Sequence, residues 1–115
     1  MITKKHRFYG TASIKYVLKK GASIRGATIT VRGIKNHKTT SYRAAVVVSK
    51  KVTKSAPKRN RIRRRIYEIV RLQAPKYLKN HDIVFLVFKE DVATMPQSEL
   101  ESHIVANLQE VAQIS

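Results

Sequence analysis

A dense run of basic side chains lies between Lys50 and Arg71, and its chemistry is that of an anion-binding surface. The fourteen residues from Lys58 to Arg71, KRNRIRRRIYEIVR, include six arginines and a single acid, Glu68. A guanidinium group is planar and always charged, so it can donate two parallel hydrogen bonds to one phosphate group. Because six such groups repel one another in so short a segment, a polyanion would supply the missing counter-charge. The segment therefore predicts a phosphate-binding surface.

The spacing of the apolar residues in this segment predicts a helix with one buried side. Four aliphatic residues recur at i, i+4, i+7 and i+8 and so share one helical face: Ile62, Ile66, Ile69 and Val70. On the opposite side, or next to it, we expect Asn60, Arg61, Arg64, Glu68 and Arg71. Arg63 and Arg65 flank the apolar stripe, and Arg59 lies near its edge in the first turn. One side of the helix is thus predicted to pack against the protein while the other presents guanidinium groups.

The charge imbalance of the chain is concentrated in its first 67 residues. The sequence holds 24 Lys and Arg against 7 Asp and Glu, a net charge of +17. Residues 1–67 contain 20 of those 24 basic residues and no acid. Outside the helix, the basic residues form two further clusters, which are Lys50, Lys51 and Lys54, and Lys4, Lys5, Arg7, Lys15, Lys19 and Lys20. A regional field of this sign attracts polyanions, with nucleic acid the first candidate, an anionic membrane the second and a merely solvated basic face the third.

The surroundings of the basic helix favour RNA over DNA and over a membrane. A broad basic face suits a folded RNA that is recognised by its shape and by the positions of its phosphates. The sequence shows neither a helix-turn-helix pair nor a zinc ligand set of the kind that DNA-binding modules use. A membrane-surface helix would need free apolar side chains, whereas this stripe is required for the core. A DNA-binding regulator and a ribosomal or general RNA-binding protein stay open as alternatives.

The sequence offers little for independent catalysis. It has no cysteine, and its four histidines are scattered without metal-ligand spacing: His6, His37, His81 and His103. A protein-held metal that hydrolyses RNA needs several converging acids, which disfavours a nuclease acting alone. We therefore expect no catalytic residue, no metal site in the protein alone and no small-molecule substrate. Since no apolar run approaches the ~18 residues of a membrane span and no signal segment is apparent, we expect a cytoplasmic protein without a membrane partner.

The first half of the chain is predicted to hold one helix and two strands. Thr11 to Lys20 reads as a helix ended by Gly21, and residues 1–7 before it read as a loose basic arm. Ile24 to Ile34 is predicted to be one strand, in which Arg32 points away from Ile29 and Val31. The polar segment 35–41 then forms a hairpin loop, and Tyr42 to Ser49 forms a strand that is buried on both faces.

The second half is predicted to hold two helices around one strand. Ser55 caps the basic helix, which should run to about Ala74 and stop before Pro75. Asp82 to Phe88 forms a buried strand. Thr94 to Gln97 fits a capping box, and the last helix carries its apolar residues at helical spacing, namely Leu100, Ile104, Leu108, Val111 and Ala112.

This element order predicts a single-domain α+β sandwich in residues 8–115. The two buried strands around the basic helix form a strand–helix–strand unit. Because the helix returns the chain to the same end of the sheet, those two strands should be parallel.

The segment SKKVTKSAPKRNRIRRRIYE, which begins at Ser49, resembles the RNR motif of the bacterial ribonuclease P protein subunit. The likeness extends nearly from end to end. It includes Arg7 and a short helix closed by Gly21, the strand that enters Ser49-Lys50-Lys51, the strand from Asp82 and the terminal amphipathic helix. The motif block is specific, whereas the flanking segments alone would be weak.

The resemblance implies a four-stranded mixed sheet with packed helices and a left-handed strand–helix–strand crossover. It implies two RNA partners, the catalytic ribonuclease P RNA and precursor tRNA, whose 5′ leader the complex removes. Hydrolysis would be carried out by the RNA with Mg²⁺ or another divalent ion that the RNA mainly holds. The residues implied in RNA binding are Lys50, Lys51, Lys54, Lys58, Arg59, Asn60, Arg61, Arg63, Arg64, Arg65 and Arg71.

A cleft between the first helix and the sheet would hold the leader in this family. The residues that the resemblance places there are Arg7, Phe8, Ile14, Lys15, Leu18, Lys19 and Arg32. Relatives often carry aromatic residues at three of these positions, where this chain has Ile14, Leu18 and Arg32. Because base stacking on aromatic rings contributes about 1–3 kcal/mol per base, we expect the leader to be held here more by phosphate contacts than by stacking.

Overall fold

A mixed four-stranded sheet with helices on both faces forms the protein, and a computed structural model describes residues 11–26, 28–38 and 41–114. The helices are α1 (Thr11–Lys20), α2 (Ala56–Tyr77) and α3 (Gln97–Val111). The strands are β1 (Ala22–Ile24), β2 (Ile29–Lys35), β3 (Arg43–Val48) and β4 (His81–Val87). The predicted α+β class with a four-stranded mixed sheet is confirmed. The predicted arm at residues 1–7 lies outside the described residues, as does Phe8.

The strands lie in the order β1-β2-β4-β3. β2 pairs antiparallel with both β1 and β4, whereas β3 and β4 are parallel, as predicted. α2 connects the two parallel strands and so begins beyond the end of β3 that carries Val48. The handedness that the resemblance implies for this crossover stays a prediction.

The two faces of the sheet are covered unequally. On one face, α2 and α3 bury a single apolar cluster over alternate residues of the strands, such as Val31, Val46 and Phe85. On the other face, α1 covers a much smaller cluster in which Val17 packs against Ala45 and Val84. The alternation follows from the pleat, because successive side chains of a strand point to opposite faces. The open remainder of the α1 face is where polar side chains can lie.

α2 buries the predicted stripe but continues beyond its predicted end. Ile62 and Ile66 are fully buried, as is Val70. The expectation that the helix stops before Pro75 was wrong, since Pro75 lies inside its last turn. Pro75 is exposed, as is Arg71, whose carbonyl oxygen loses its helical donor at Pro75. The buried residues Ala74 and Leu78 hold the turn against the core.

A tyrosine of α2 protects the free edge of the sheet. The backbone N–H of Val46, in the edge strand β3, donates a buried hydrogen bond of 3.0 Å to the hydroxyl of Tyr67. Tyr67 is 3% exposed and is therefore a packing residue. The bond satisfies a strand donor that has no neighbouring strand and fixes α2 against β3.

The predicted single strand at Ile24 to Ile34 is two strands. β1 and β2 form an antiparallel hairpin in which Ile24 pairs with Val31, so the chain reverses between them. A side chain at Gly26 would lie 2.6 Å from the carbonyl oxygen of Ile29. Glycine therefore permits the tight reversal, and the glycine at this point of a strand-like pattern was the signal.

The predicted capping box at Thr94 to Gln97 was also wrong. Pro96 occupies the N-cap position of α3 and contributes no side-chain cap, while Thr94 closes a short 3-10 helix (Glu90–Ala93). The side chain of Gln97 lies instead near Arg65 of α2, 3.3 Å from its guanidinium group. A tertiary contact thus replaces the local cap. Among the described residues, no helix has the length and apolar character needed to cross a membrane.

Candidate nucleic-acid interface

The Ser49-Lys50-Lys51 turn leads from β3 to α2 and keeps its lysines in solvent. The N–H of Val52 donates to the carbonyl oxygen of Ser49 at 3.1 Å, which closes the turn. Val52 packs against the main core, while Lys50 and Lys51 are exposed, as is Lys54 further along. An apolar anchor next to free lysines holds the charges near the start of α2.

The first turn of α2 is fastened to the loop before it. The hydroxyl of Ser55 accepts from the N–H of Lys58 at 3.3 Å, as a helix cap does. Arg59 donates from Nη1 to the carbonyl oxygen of Thr53 at 3.0 Å. Lys58 lies 3.8 Å from Glu90 across a half-exposed ion pair that solvent screens. The predicted position of Arg59 near the edge of the core therefore fits a residue that partly serves to shape the loop.

Arg61 and Arg64 are the freest guanidinium groups of this surface. Both are exposed, and within the ranges that the structure describes neither has a hydrogen-bond or ion-pair partner. Arg63 donates to Oδ1 of Asn60 at 2.5 Å, an exposed bond along the same helix. The exposed helix side thus presents cations whose donors are available to a ligand. We use the term basic surface for the lysines around the turn, Lys58 and the outward residues of the next helical turns: Lys50, Lys51, Lys54, Lys58, Asn60, Arg61, Arg63 and Arg64.

Arg65 uses its donors inside the protein. Its Nη1 donates to the carbonyl oxygen of Val92 at 2.7 Å, and its Nη2 donates to that of Met95 at 2.5 Å. Burial lowers the pKa of Arg65 from its ordinary value, and the positive charge of Arg61 acts in the same direction. The side chain joins α2 to the segment before α3. Of the predicted RNA-binding residues, this one has the clearest structural role.

Arg71 lies at the far end of the helix in a local ion pair. Its Nη2 is 2.5 Å from Oε1 of Glu68, three residues earlier. The hydrogen bond from Arg71 lowers the pKa of Glu68, and the same bond raises the pKa of Arg71. An RNA phosphate at this position would compete with a carboxylate, unlike one at Arg61 or Arg64.

The predicted leader residues that the structure describes lie on the α1 face of the sheet. Ile14 and Leu18 are half-buried and pack against the small cluster around Val17, while Lys15 and Lys19 are exposed. These aliphatic side chains hold α1 on the sheet and leave the two lysines at its rim.

Arg32 joins this group from β2. It points away from the face of Val31, which confirms the predicted alternation, and its Nη1 donates to the carbonyl oxygen of Leu18 at 2.6 Å. The guanidinium thereby caps the end of α1 and lies on the α1 face of the sheet. Arg7 and Phe8 lie outside the described residues.

One ionic cluster on the α1 face had no sequence signal. Arg43 donates from Nε and Nη2 to the two carboxylate oxygens of Asp82, at 2.9 and 2.7 Å. Asn36 donates to the same carboxylate at 2.9 Å. The hydrogen bond to Asp82 raises the pKa of Arg43. These residues are far apart in sequence, and only the pairing of β3 with β4 brings Arg43 beside Asp82.

The described side chains do not fit a protein-held divalent ion. Within residues 11–26, 28–38 and 41–114, no three His, Cys, Asp or Glu side chains are grouped so as to hold a metal. Asp82, a buried carboxylate, is already bound by Arg43 and Asn36.

Comparison with known proteins identifies the family. A family model described as Ribonuclease P matches residues 2–112. The Ribonuclease P protein component of Chloroflexus aurantiacus is 38% identical over 70 residues, which cover 61% of this chain and 51% of that protein. The component from Prochlorococcus marinus is 33% identical over 84 residues, 70% of this chain and 62% of its own length. The chain thus spans between half and two thirds of these curated relatives.

Solved structures share the fold. The RNase P protein of Staphylococcus aureus superimposes with a TM-score of 0.78 at 22% identity, covering 95% of this chain and 96% of its own. The RNase P protein of Thermotoga maritima gives a TM-score of 0.79 at 21% identity, and the superposition covers 90% of this chain and 96% of the Thermotoga maritima chain. At such sequence identities the structural similarity shows only the fold. Family membership is shown by the family model, which matches nearly the whole chain. The chain belongs to the Ribonuclease P family of proteins.

Proposed function

We propose that the chain is the protein subunit of ribonuclease P, an endoribonuclease built from protein and RNA that removes the 5′ leader of precursor tRNA. The observation that carries this proposal is the pair of exposed guanidinium groups, Arg61 and Arg64, on the helix that opens after the Ser49-Lys50-Lys51 turn. In a chain of this family, an unneutralised basic surface at that place supports binding to the catalytic RNA.

The electrostatics of the basic surface support an RNA partner. Residues 1–67 carry 20 basic residues and no acid, and the ion pairs between described residues neutralise this surface only at Lys58, loosely. Binding a polyanion relieves the repulsion among such charges and releases the counterions of the RNA. Arg59, Arg65 and Arg71 contribute less in this proposal, since their donors already have protein partners.

The leader of precursor tRNA is assigned to the α1 face, opposite α2 and α3. Lys15 and Lys19 would attract its phosphates, and Arg32 would add charge at the end of α1. Ile14 and Leu18 would supply apolar contacts to bases, with Arg7 and Phe8 as the residues nearer the N-terminus that the resemblance adds.

The chemical step belongs to the RNA in this proposal. Mg²⁺ or another divalent ion would be held mainly by the catalytic RNA, and the protein would position the substrate. The proposed working place is the cytoplasm, with no membrane and no small-molecule substrate involved.

Cleavage of precursor tRNA tests the proposal. At low Mg²⁺, the catalytic RNA from the same organism should cut the leader faster with the protein than without it, and the protein alone should not cut. Cleavage by the protein alone would establish a lone nuclease, and no effect on the catalytic RNA would favour a ribosomal or general RNA-binding protein.

A matched pair of variants locates the contact. Arg61→Ala with Arg64→Ala should weaken assembly with the catalytic RNA. The control, Lys76→Ala with Lys79→Ala, removes the same charge at two exposed positions, one in the last turn of α2 and one just after the helix, and should have a much smaller effect. Equal losses from the two double variants would mean that only net charge matters.

A further inference from the structure

A hollow of about 470 Å³ lies at the end of the sheet where β3 and β4 begin, on the α1 side. Tyr16 of α1 forms one wall, and the loop residues Asn36, His37 and Lys38 form another. Its volume is in the range of sites that hold small molecules or single groups of larger ones. Within the part of the chain that the structure describes, its lining residues differ from those of the basic surface and from the leader residues Ile14, Lys15, Leu18, Lys19 and Arg32.

The floor of the hollow is fixed before any ligand arrives. Asp82 is 4% exposed, and its carboxylate accepts hydrogen bonds from Nε and Nη2 of Arg43 and from the side-chain amide of Asn36. Asn36 makes two further hydrogen bonds. Its Oδ1 atom accepts from the N–H of Lys38 at 3.0 Å, and the backbone N–H of Asn36 donates to the carbonyl oxygen of Asn80 at 2.7 Å. The carboxylate charge is thereby compensated, and the loop is held in one shape.

The wall and rim carry a different chemistry. Tyr16 is 57% exposed, and it is one of three large apolar side chains with such exposure among the described residues. Lys35 and Lys38 lie at the same hollow. An exposed aromatic ring beside lysines is the combination with which proteins hold single-stranded nucleic acid, because the base stacks on the ring and the cations attract the phosphate.

We propose that this hollow binds one unstacked nucleotide of a single-stranded RNA. The base stacks on Tyr16, and Lys35 and Lys38 attract the adjoining phosphates. The inference rests on the proposed function, since it takes RNA as the ligand, and it adds a contact point to it. β3 separates the hollow from the Ser49-Lys50-Lys51 turn by roughly 17 Å, so one strand of RNA would meet two separate anchors.

The absence of tryptophan from the chain allows a direct test. Tyr16→Trp places a single fluorophore at the hollow and keeps an aromatic ring there. Titration with a five-nucleotide single-stranded RNA should quench its emission in a saturable way, whereas inorganic phosphate or a blunt RNA duplex should not. The matched control is Gln109→Trp, since Gln109 is exposed on α3, a helix that carries three Glu and neither Lys nor Arg. Its emission should stay unchanged.

Affinity measurements with a labelled form of the same RNA complete the test. Tyr16→Ala should weaken binding roughly tenfold or more, as the loss of one stacked base does, while Tyr16→Trp should retain it. Lys38→Ala in the Tyr16→Trp background should weaken the quenching, and Lys76→Ala should not. Equal quenching in the Tyr16→Trp and Gln109→Trp variants, or unchanged affinity of Tyr16→Ala at an unchanged thermal midpoint, would overturn the proposal.

The outcome is separable from that of the proposed function. Saturable quenching together with no effect on cleavage by the catalytic RNA would leave the nucleotide site standing and reject the subunit assignment. Faster cleavage together with no quenching would do the reverse.

Discussion

α2 and α3 have the same structural role and face the solvent with opposite charge. Each places an apolar stripe on the same cluster against the sheet, with Ile62 and Ile66 from one helix and Ile104 and Leu108 from the other. On their remaining sides, α2 carries eight Lys and Arg and one acid, whereas α3 carries three Glu and neither Lys nor Arg. The inward residues therefore decide where each helix packs, and the outward residues decide what it can bind.

The difference also orients a polyanion on the protein. A bound RNA is attracted to the outer side of α2 and repelled from that of α3, although the two helices are neighbours. Where the two helices meet, Nε2 of Gln73 donates a hydrogen bond of 3.3 Å to Oε1 of Glu101. An RNA on α2 should therefore not extend across α3.

The largest effect expected from this charge difference is on the salt dependence of RNA binding. If about six phosphates are neutralised, affinity for the catalytic RNA should fall roughly 10³-fold between 50 and 200 mM salt, because the counterions released on binding gain less entropy in the more concentrated salt. Fluorescence anisotropy with labelled RNA over that range measures the slope. A flat response would contradict the electrostatic account of α2.

The similarity of the inward sides predicts equal losses of stability. Ile66→Ala and Ile104→Ala should each lower the free energy of unfolding by about 2–5 kcal/mol, since both side chains are fully buried and each change leaves a cavity. Denaturant unfolding of the two variants measures this. RNA binding by the folded fraction should be retained in both. A loss from only one of them would show that the two helices do not share one core.

Sequence patterns predicted these inward stripes and the parallel pair of strands well. Repeating apolar spacing reports burial directly, so α2 and α3 were located by their stripes. The hairpin at Gly26 was missed because a glycine in a strand-like pattern is a weak turn signal, as Gly33 inside β2 shows. The end of α2 was missed because Pro75 lies on the exposed side, where its lost hydrogen bond costs little.

The candidate site was predictable in outline but not residue by residue. The density of arginines in α2 located the basic surface. A helical projection cannot show that Arg65 binds the carbonyl groups of Val92 and Met95, because those partners are 27 and 30 residues away. The same limit applies to Arg43 and Asp82, which only strand pairing brings together.

Arg65 is one of the basic residues of α2, but its guanidinium binds the protein itself, so its removal should lower the stability of the fold. Arg65→Ala leaves the carbonyl oxygens of Val92 and Met95 without their donor, which should lower the free energy of unfolding by about 1–3 kcal/mol. RNA affinity measured below the unfolding transition should change little. A variant of normal stability and poor RNA affinity would move Arg65 to the outward group.

Arg61 and Arg64 test the outward side alone. Each Arg→Ala change should lower RNA affinity roughly tenfold, about 1.4 kcal/mol, and leave the thermal midpoint unchanged, since neither guanidinium has a partner among the described residues. Gln109→Ala, at an exposed position of α3, is the matched control and should be neutral in both measurements. Unfolding of the arginine variants, with normal binding when folded, would mean that the basic surface has been misread.

The smallest expected effect concerns Glu68, the one acid of α2. Because the hydrogen bond from Arg71 lowers the pKa of Glu68 below its ordinary value of 4.5, the carboxylate is charged at neutral pH and occupies Arg71. Glu68→Gln should therefore raise RNA affinity slightly, roughly twofold, by freeing Arg71 and removing a negative charge from the basic helix. In an Arg71→Ala background the part of the gain that depends on Arg71 should vanish, which a double-mutant cycle measures.

The same ion pair makes a small contribution to stability that depends on pH. A depressed folded-state pKa stabilises the protein above the unfolded-state pKa, and this contribution is lost as the pH falls through the folded-state value. The thermal midpoint of Glu68→Gln should accordingly lie slightly below that of the parent at pH 7 and approach it in acid. An RNA affinity gain that persists in full without Arg71 would assign the effect to net charge and remove Arg71 from the proposed contacts.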